Sequence, residues 1–128
     1  MHSNSPLPPF VLERFFARHE FVTPYLLCSS DPETMRLGDL LALEPGAAER
    51  FAELRLGYVE SRGTPELRSA IASLYRHGDA ERVLVHSGAE EPIFTFMHAA
   101  LGAGDNVVVQ FPAYQSHYSI AESIGATA

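Results

Sequence analysis

Two short apolar runs separated by one helix-length segment constrain the fold of this chain more than any other feature. The runs lie at residues 83–85 and 107–109 and consist of valine and leucine, which favour buried strands. Between them, residues 90–101 carry Ile93, Phe94 and Met97 at helical spacing. A strand, a helix and a second strand predict an α/β layer architecture. A stable layer usually contains more strands, and residues 126–128 resemble the start of another, so we expect a truncated domain.

Composition narrows the class of protein. A chain of 128 residues, of which 46% are hydrophobic and 20% charged, is normally one globular domain. Its formal net charge of -7 makes nucleic acid and anionic membranes poor partners. Cys28 is the only cysteine, which excludes an intrachain disulfide. Without a signal-like N-terminus or a membrane-length apolar stretch, a cytoplasmic location is expected.

Further helices are predicted outside the central pattern. Residues 1–9 are polar and proline-rich and predict an extended arm. Apolar spacing predicts a helix over residues 10–19 and short helices over 37–41 and 47–54. Thr64 and Pro65 are typical of a helix start. We expect the buried face of that helix to consist of Leu67, Ile71, Leu74 and Tyr75. A last helix is expected over residues 115–124.

Three segments are candidates for a binding site. Ser87, Gly88, Ala89 and Glu90 lie between a predicted strand and a helix, where free N–H groups and the helix dipole can hold a phosphate. Taken alone, this pattern favours a simple turn with a serine cap.

Two tyrosines mark the other segments. Tyr114 follows the second predicted strand, at the sheet edge where α/β folds bind ligands, and its ring could stack on a flat heterocycle. A tyrosine packed on a helix is the commoner interpretation of one such residue. Tyr58, in an irregular loop before Gly63, predicts no function by itself.

Together these segments resemble the class I/II aminotransferases of the fold-type I group, which use pyridoxal phosphate. The resemblance covers the chain from Phe10 onward, and it is specific for the superfamily but not for a substrate. It implies that Ser87, Gly88, Ala89 and Glu90 surround the cofactor phosphate and that Tyr114 stacks on the pyridine ring. It also implies that Tyr58 reaches the phosphate of the neighbouring subunit in a homodimer. Residues 1–57 would then be an arm with short helices bordering the substrate site, and residues 58–128 the beginning of the large cofactor domain.

The chain departs from the family at its chemical centre. All nine basic residues are arginines, so the lysine that carries the cofactor as a Schiff base is missing. The family's later asparagine and aspartate, and its carboxylate-binding arginine, find no match either. We therefore expect a fragment that is inactive alone and binds the cofactor without a covalent bond. The complete enzyme would exchange an amino group between an amino acid and a 2-oxo acid.

Other functions remain open. Another fold-type I enzyme, such as a lyase, synthase or decarboxylase, would share this segment. A non-catalytic remnant or interaction module would keep the fold without the chemistry, and the missing lysine favours it for the isolated chain. A nucleotide-binding domain is less favoured, since neither a P-loop lysine nor a Gly-x-Gly-x-x-Gly run is present. The six histidines show no metal-ligand spacing, so no metal site is expected.

Overall fold

The computed structural model describes residues 7–128 and contains six α-helices and one short 3-10 turn in that range. The first six residues of the predicted arm lie outside the described part. The helices are α1 Val11–His19, α2 Leu37–Leu41, α3 Ala47–Ala52, α4 Pro65–Ser73, α5 Glu90–Ala100 and α6 Ser116–Ile124, and the 3-10 turn is Ala80–Arg82. The predicted helices are thus confirmed, with ends that differ by one or two residues.

Local chemistry explains where these helices begin and end. The Thr64 hydroxyl accepts a hydrogen bond from the Leu67 N–H at 3.3 Å, and Pro65 occupies the first position of α4. This is the predicted start signal. At the other end of the chain, α6 stops at Gly125, whose φ of 93° is a left-handed conformation that glycine adopts without a steric cost.

The two predicted strands are wrong as hydrogen-bonded elements, because residues 7–128 contain no strand. One parallel bridge joins Asn106 and Thr127, with the Val107 N–H donating to the Thr127 carbonyl at 2.8 Å. Val85 instead donates to the carbonyl of Arg62 at 3.0 Å. A strand exists only when a neighbour completes its ladder, and these segments have almost no neighbour. The predicted α/β class is therefore not confirmed by the chain itself.

The core of the described residues is small and consists mostly of small side chains. Ala72, Ile120, Ala121 and Ala126 are its buried hydrophobic residues. They lie in α4 and around α6, which packs against α5. The predicted buried face of α4 is wrong at Leu67, Leu74 and Tyr75, which are 45%, 80% and 68% exposed, whereas Ile71 is half-buried. Among the described elements, the 3-10 turn is the one that packs against this helix.

Much apolar surface faces solvent. A folded monomer of 14.0 kDa exposes about 6,700 Å² by the usual scaling with mass, whereas this chain exposes 11021 Å². Leu56, Leu27 and Val108 are each almost fully accessible. The chain therefore presents apolar area that a monomer of this size normally buries. No helix within residues 7–128 has the length and apolar character needed to cross a bilayer.

Candidate functional site

The first candidate segment forms an open helix N-terminus. Gly88 has a φ of 85°, and α5 begins two residues later at Glu90. No side chain caps this helix, so the expected serine cap is absent. The N–H groups of Ala89 and Glu90 have no acceptor among residues 7–128. Two unpaired donors at the positive end of a helix form a surface that favours an anion.

The Glu91 carboxylate holds the two residues that precede Gly88 close to the start of α5. One of its carboxylate oxygens accepts a hydrogen bond from the Ser87 N–H at 2.5 Å and lies 3.8 Å from Nδ1 of His86. The carboxylate therefore joins the residues before Gly88 to the first turn of α5. Sequence reasoning missed this contact, because an acidic residue in a first turn is already explained by the helix dipole.

Tyr114 lies in a cavity of about 440 Å³ between the N-terminal arm and the last two helices. Phe94 and Ile120 form part of its apolar wall, and Glu90 stands at its edge. The Phe10 ring meets the Tyr114 ring edge-on, with centroids 5.1 Å apart and planes at 90°. The structure thus brings two predicted site residues, Glu90 and Tyr114, to one cavity.

The charge around Tyr114 is negative. Burial, followed by the carboxylates of Glu90, Glu13 and Asp31, raises the pKa of the Tyr114 phenol above its usual value. Both causes disfavour the phenolate. The hydroxyl therefore stays protonated at neutral pH and can donate a hydrogen bond.

A second, more polar cavity of about 270 Å³ is also lined by Tyr114. It is bordered by Leu12 and Phe16 of α1 and by Cys28 and Asp31. The N-terminal arm and the segment around residue 30 therefore both lie beside Tyr114. No group of three metal-ligating side chains occurs in the described range.

Tyr58 is not part of either cavity. Its side chain is fully accessible to solvent, and it lies in the loop between α3 and α4. Within this chain, Tyr58 therefore stands apart from Tyr114 and from the start of α5.

Comparison with known proteins identifies the class. The chain matches the model of the aminotransferase class I and II family over residues 25–128, which is well over half of its length. It belongs to this family.

Individual relatives agree with this assignment. The chain is 30% identical to capreomycidine synthase from Streptomyces vinaceus over 96% of its own length and 31% of that protein. It is 35% identical to valine–pyruvate aminotransferase from Mycobacterium tuberculosis over 66% of its length and 24% of that protein. It therefore spans less than a third of each relative.

Solved structures support the same family. A PLP-dependent aminotransferase from Streptococcus suis superposes with a TM-score of 0.83 at 26% identity, over 95% of this chain and 34% of that one. The PLP-dependent cyclase OrfR superposes with a TM-score of 0.79 at 31% identity, over 98% of this chain and 33% of that one. The described residues therefore adopt the conformation of a fold-type I segment, although they form no strand of their own.

Pyridoxal phosphate is the cofactor that this family implies. The residues present fit part of it, since Ala89 and Glu90 offer unpaired N–H groups and Tyr114 offers an aromatic ring beside a cavity. They do not fit its covalent attachment, because the sequence contains no lysine.

Proposed function

We propose that this chain is the first part of a pyridoxal-phosphate-dependent aminotransferase, which moves an amino group between an amino acid and a 2-oxo acid. The observation that carries the proposal is the uncapped start of α5 at the edge of the Tyr114 cavity, in a chain of this family. The cofactor, when bound, supplies an electron sink for the substrate's carbanion. The lysine that attaches it would come from polypeptide beyond these residues.

The residues of this chain serve binding and orientation. The N–H groups of Ala89 and Glu90 hold the phosphate, aided by the positive end of α5. Ser87 leads into the loop, and Gly88 supplies its left-handed turn. Tyr114 contacts one face of the pyridine ring and excludes water from that side. Its hydroxyl stays protonated and therefore adds no negative charge beside the ring.

Tyr58 acts across a subunit boundary in this proposal. Its full exposure leaves the ring free to reach the phosphate bound by a second protomer of a homodimer. The division into an arm over residues 1–57 and a cofactor-domain segment over residues 58–128 belongs to the same proposal.

A second function is a synthase or cyclase reaction on the same cofactor. Capreomycidine synthase and the cyclase OrfR each match at least 95% of this chain, so the segment occurs outside aminotransferases. Both reactions need the same phosphate and ring contacts. Product analysis of the complete enzyme with an amino acid and a 2-oxo acid separates them, because only a transaminase produces the second amino acid.

Titration of the chain with pyridoxal 5′-phosphate tests whether the N–H groups at the start of α5 bind the cofactor phosphate. Ala89→Pro removes one of the two proposed N–H donors, and the Ala89 φ of -71° already suits proline. Losing a hydrogen bond to a charged phosphate costs about 1.5–3 kcal/mol, so affinity should fall roughly 10- to 100-fold. Ala48→Pro makes the same change at the start of α3 and should leave affinity unchanged. Equal affinities for both variants would contradict the proposal.

Borohydride reduction followed by mass analysis tests whether any residue of this chain attaches the cofactor covalently. Without lysine, no side chain can form the Schiff base that borohydride traps. We expect at most an adduct on the N-terminal amine. A stoichiometric cofactor adduct on any other residue would show that the chain attaches the cofactor after all.

A further inference from the structure

The side chain of Gln115 holds the N-terminal arm at two points. Its Nε2 donates to the carbonyl of Pro9 at 2.9 Å, and its Oε1 accepts from the Val11 N–H at 2.9 Å. Gln115 lies just before α6, more than one hundred residues from the arm in sequence. One amide group therefore connects the two ends of the described chain.

The contact also completes α1. Phe10 occupies the N-cap position and has no side chain that can cap the helix. The Val11 N–H would otherwise be one of the unpaired donors of a helix start, and the Gln115 carbonyl oxygen satisfies it. The arm is thus held by directional bonds to backbone groups and not by apolar packing alone.

The residue between the two bonds is the one that meets Tyr114. Pro9 and Val11 are held from either side of Phe10, and the Phe10 ring stands edge-on against Tyr114 in the same cavity. Fixing both neighbouring peptides removes most of the freedom of the Phe10 backbone. The Gln115 bonds therefore fix the backbone from which the Phe10 ring projects.

We propose that Gln115 is a positioning residue, which holds Phe10 as a wall of the Tyr114 cavity. The cavity therefore accepts a flat group against Tyr114 and an apolar group against Phe10. This rests on the proposed function only in identifying the flat group as the cofactor ring. The position of Phe10 itself follows from contacts within this chain.

Hydrogen exchange and proton NMR of the complete chain test the proposal. Gln115→Met keeps the length of the side chain and removes both hydrogen bonds. Two such bonds correspond to roughly 10- to 100-fold faster exchange at the Val11 N–H, and the ring contact between Phe10 and Tyr114 should disappear from the spectrum. Exchange at the Leu67 N–H, which is bonded to the Thr64 hydroxyl at the start of α4, should not change and serves as a control at another helix start.

Two further variants distinguish the effect of the Gln115 hydrogen bonds from the effect of side-chain packing around Phe10. Phe10→Leu should remove the ring contact but preserve slow exchange at Val11, because the Gln115 bonds go to the backbone. Gln110→Met makes the matched change at an exposed glutamine and should alter neither signal. A Phe10–Tyr114 contact that survives Gln115→Met would overturn the proposal, as would equal acceleration at Val11 and Leu67.

Pyridoxal 5′-phosphate binding is measured on the same variants. Gln115→Met should weaken binding several-fold, while Gln110→Met should not. An unaltered chain that fails to bind the cofactor would contradict the proposed function, but the Val11 and ring-contact signals would still decide the role of Gln115.

Discussion

Replacing Gly63 by alanine should separate the loop that carries Tyr58 from the segment that leads to Ser87. Gly63 has a φ of 95°, and an added Cβ would lie 2.4 Å from Cγ2 and 2.8 Å from Cβ of Val85. The left-handed backbone costs alanine about 1–2 kcal/mol. The overlap with Val85 costs about 1–3 kcal/mol more, as overpacking usually does.

The Val85 N–H is a direct reporter of this change, because it donates to the Arg62 carbonyl at 3.0 Å. A combined penalty of about 2–5 kcal/mol corresponds to roughly 30- to 4,000-fold faster exchange at that amide. Global unfolding sets the upper limit of this range. Exchange should be followed by NMR or by fragmentation mass spectrometry.

Two controls divide the penalty into its parts. Gly88→Ala has a similar φ of 85° but an empty space around the added Cβ, so it should show the backbone cost alone. In a Val85→Ala background, Gly63→Ala escapes the Cγ2 contact and keeps the Cβ contact, so its penalty should shrink. If Gly63→Ala accelerates Val85 exchange no more than Gly88→Ala does, residue 63 and Val85 are not packed as closely as described here.

Three further outcomes are expected. In a full-length relative with this segment, Tyr58→Phe should weaken cofactor binding roughly 10- to 100-fold by losing one hydrogen bond to a charged phosphate. Tyr114→Phe should leave the cofactor affinity nearly unchanged in the same titration. A larger loss of affinity at Tyr114 than at Tyr58 would reverse their assigned roles. The raised pKa of Tyr114 means that the protonated phenol is favoured in the folded state. The contribution of this phenol to folding stability should be complete below about pH 10 and should be lost as pH rises through the folded-state pKa. The free energies of urea unfolding of the unaltered chain and of Tyr114→Phe should therefore diverge across pH 8–12 (roughly the tyrosine range), and parallel curves would count against the raised pKa. At raised protein concentration the isolated chain should associate because of its exposed apolar surface, and a sharp monomer peak in size-exclusion chromatography at that concentration would argue otherwise.

The parts of the fold that sequence predicts well are those determined by near neighbours. Thr64 and Pro65 act within one turn of α4, and Gly125 ends α6 through its own backbone conformation. Such signals need no tertiary contact, so they remain valid in a chain with a small core. The predicted strands failed for the opposite reason. Valine at 83–85 and 107–109 favours a strand only where neighbouring strands complete the ladder.

The candidate site also combines features determined by near neighbours with features that depend on distant residues. The loop around Gly88 was predictable because glycine before a helix start is a local signal. The bonds from Gln115 to the arm were not, because a glutamine at a helix start has no preferred distant partner. The position of Tyr114 in a cavity also depends on Phe10, which lies more than one hundred residues earlier.

Binding and covalent chemistry are separable in this segment, and this decides which measurements are informative. The unpaired N–H groups at the start of α5, the Tyr114 cavity and the Gln115 contacts are all made within these residues. The lysine that the family's chemistry requires is absent from them. We therefore expect turnover assays on the chain alone to be negative whether or not the cofactor binds. Non-covalent affinity, compared between Ala89→Pro and Ala48→Pro, distinguishes a functional binding segment from a remnant that has kept only the fold.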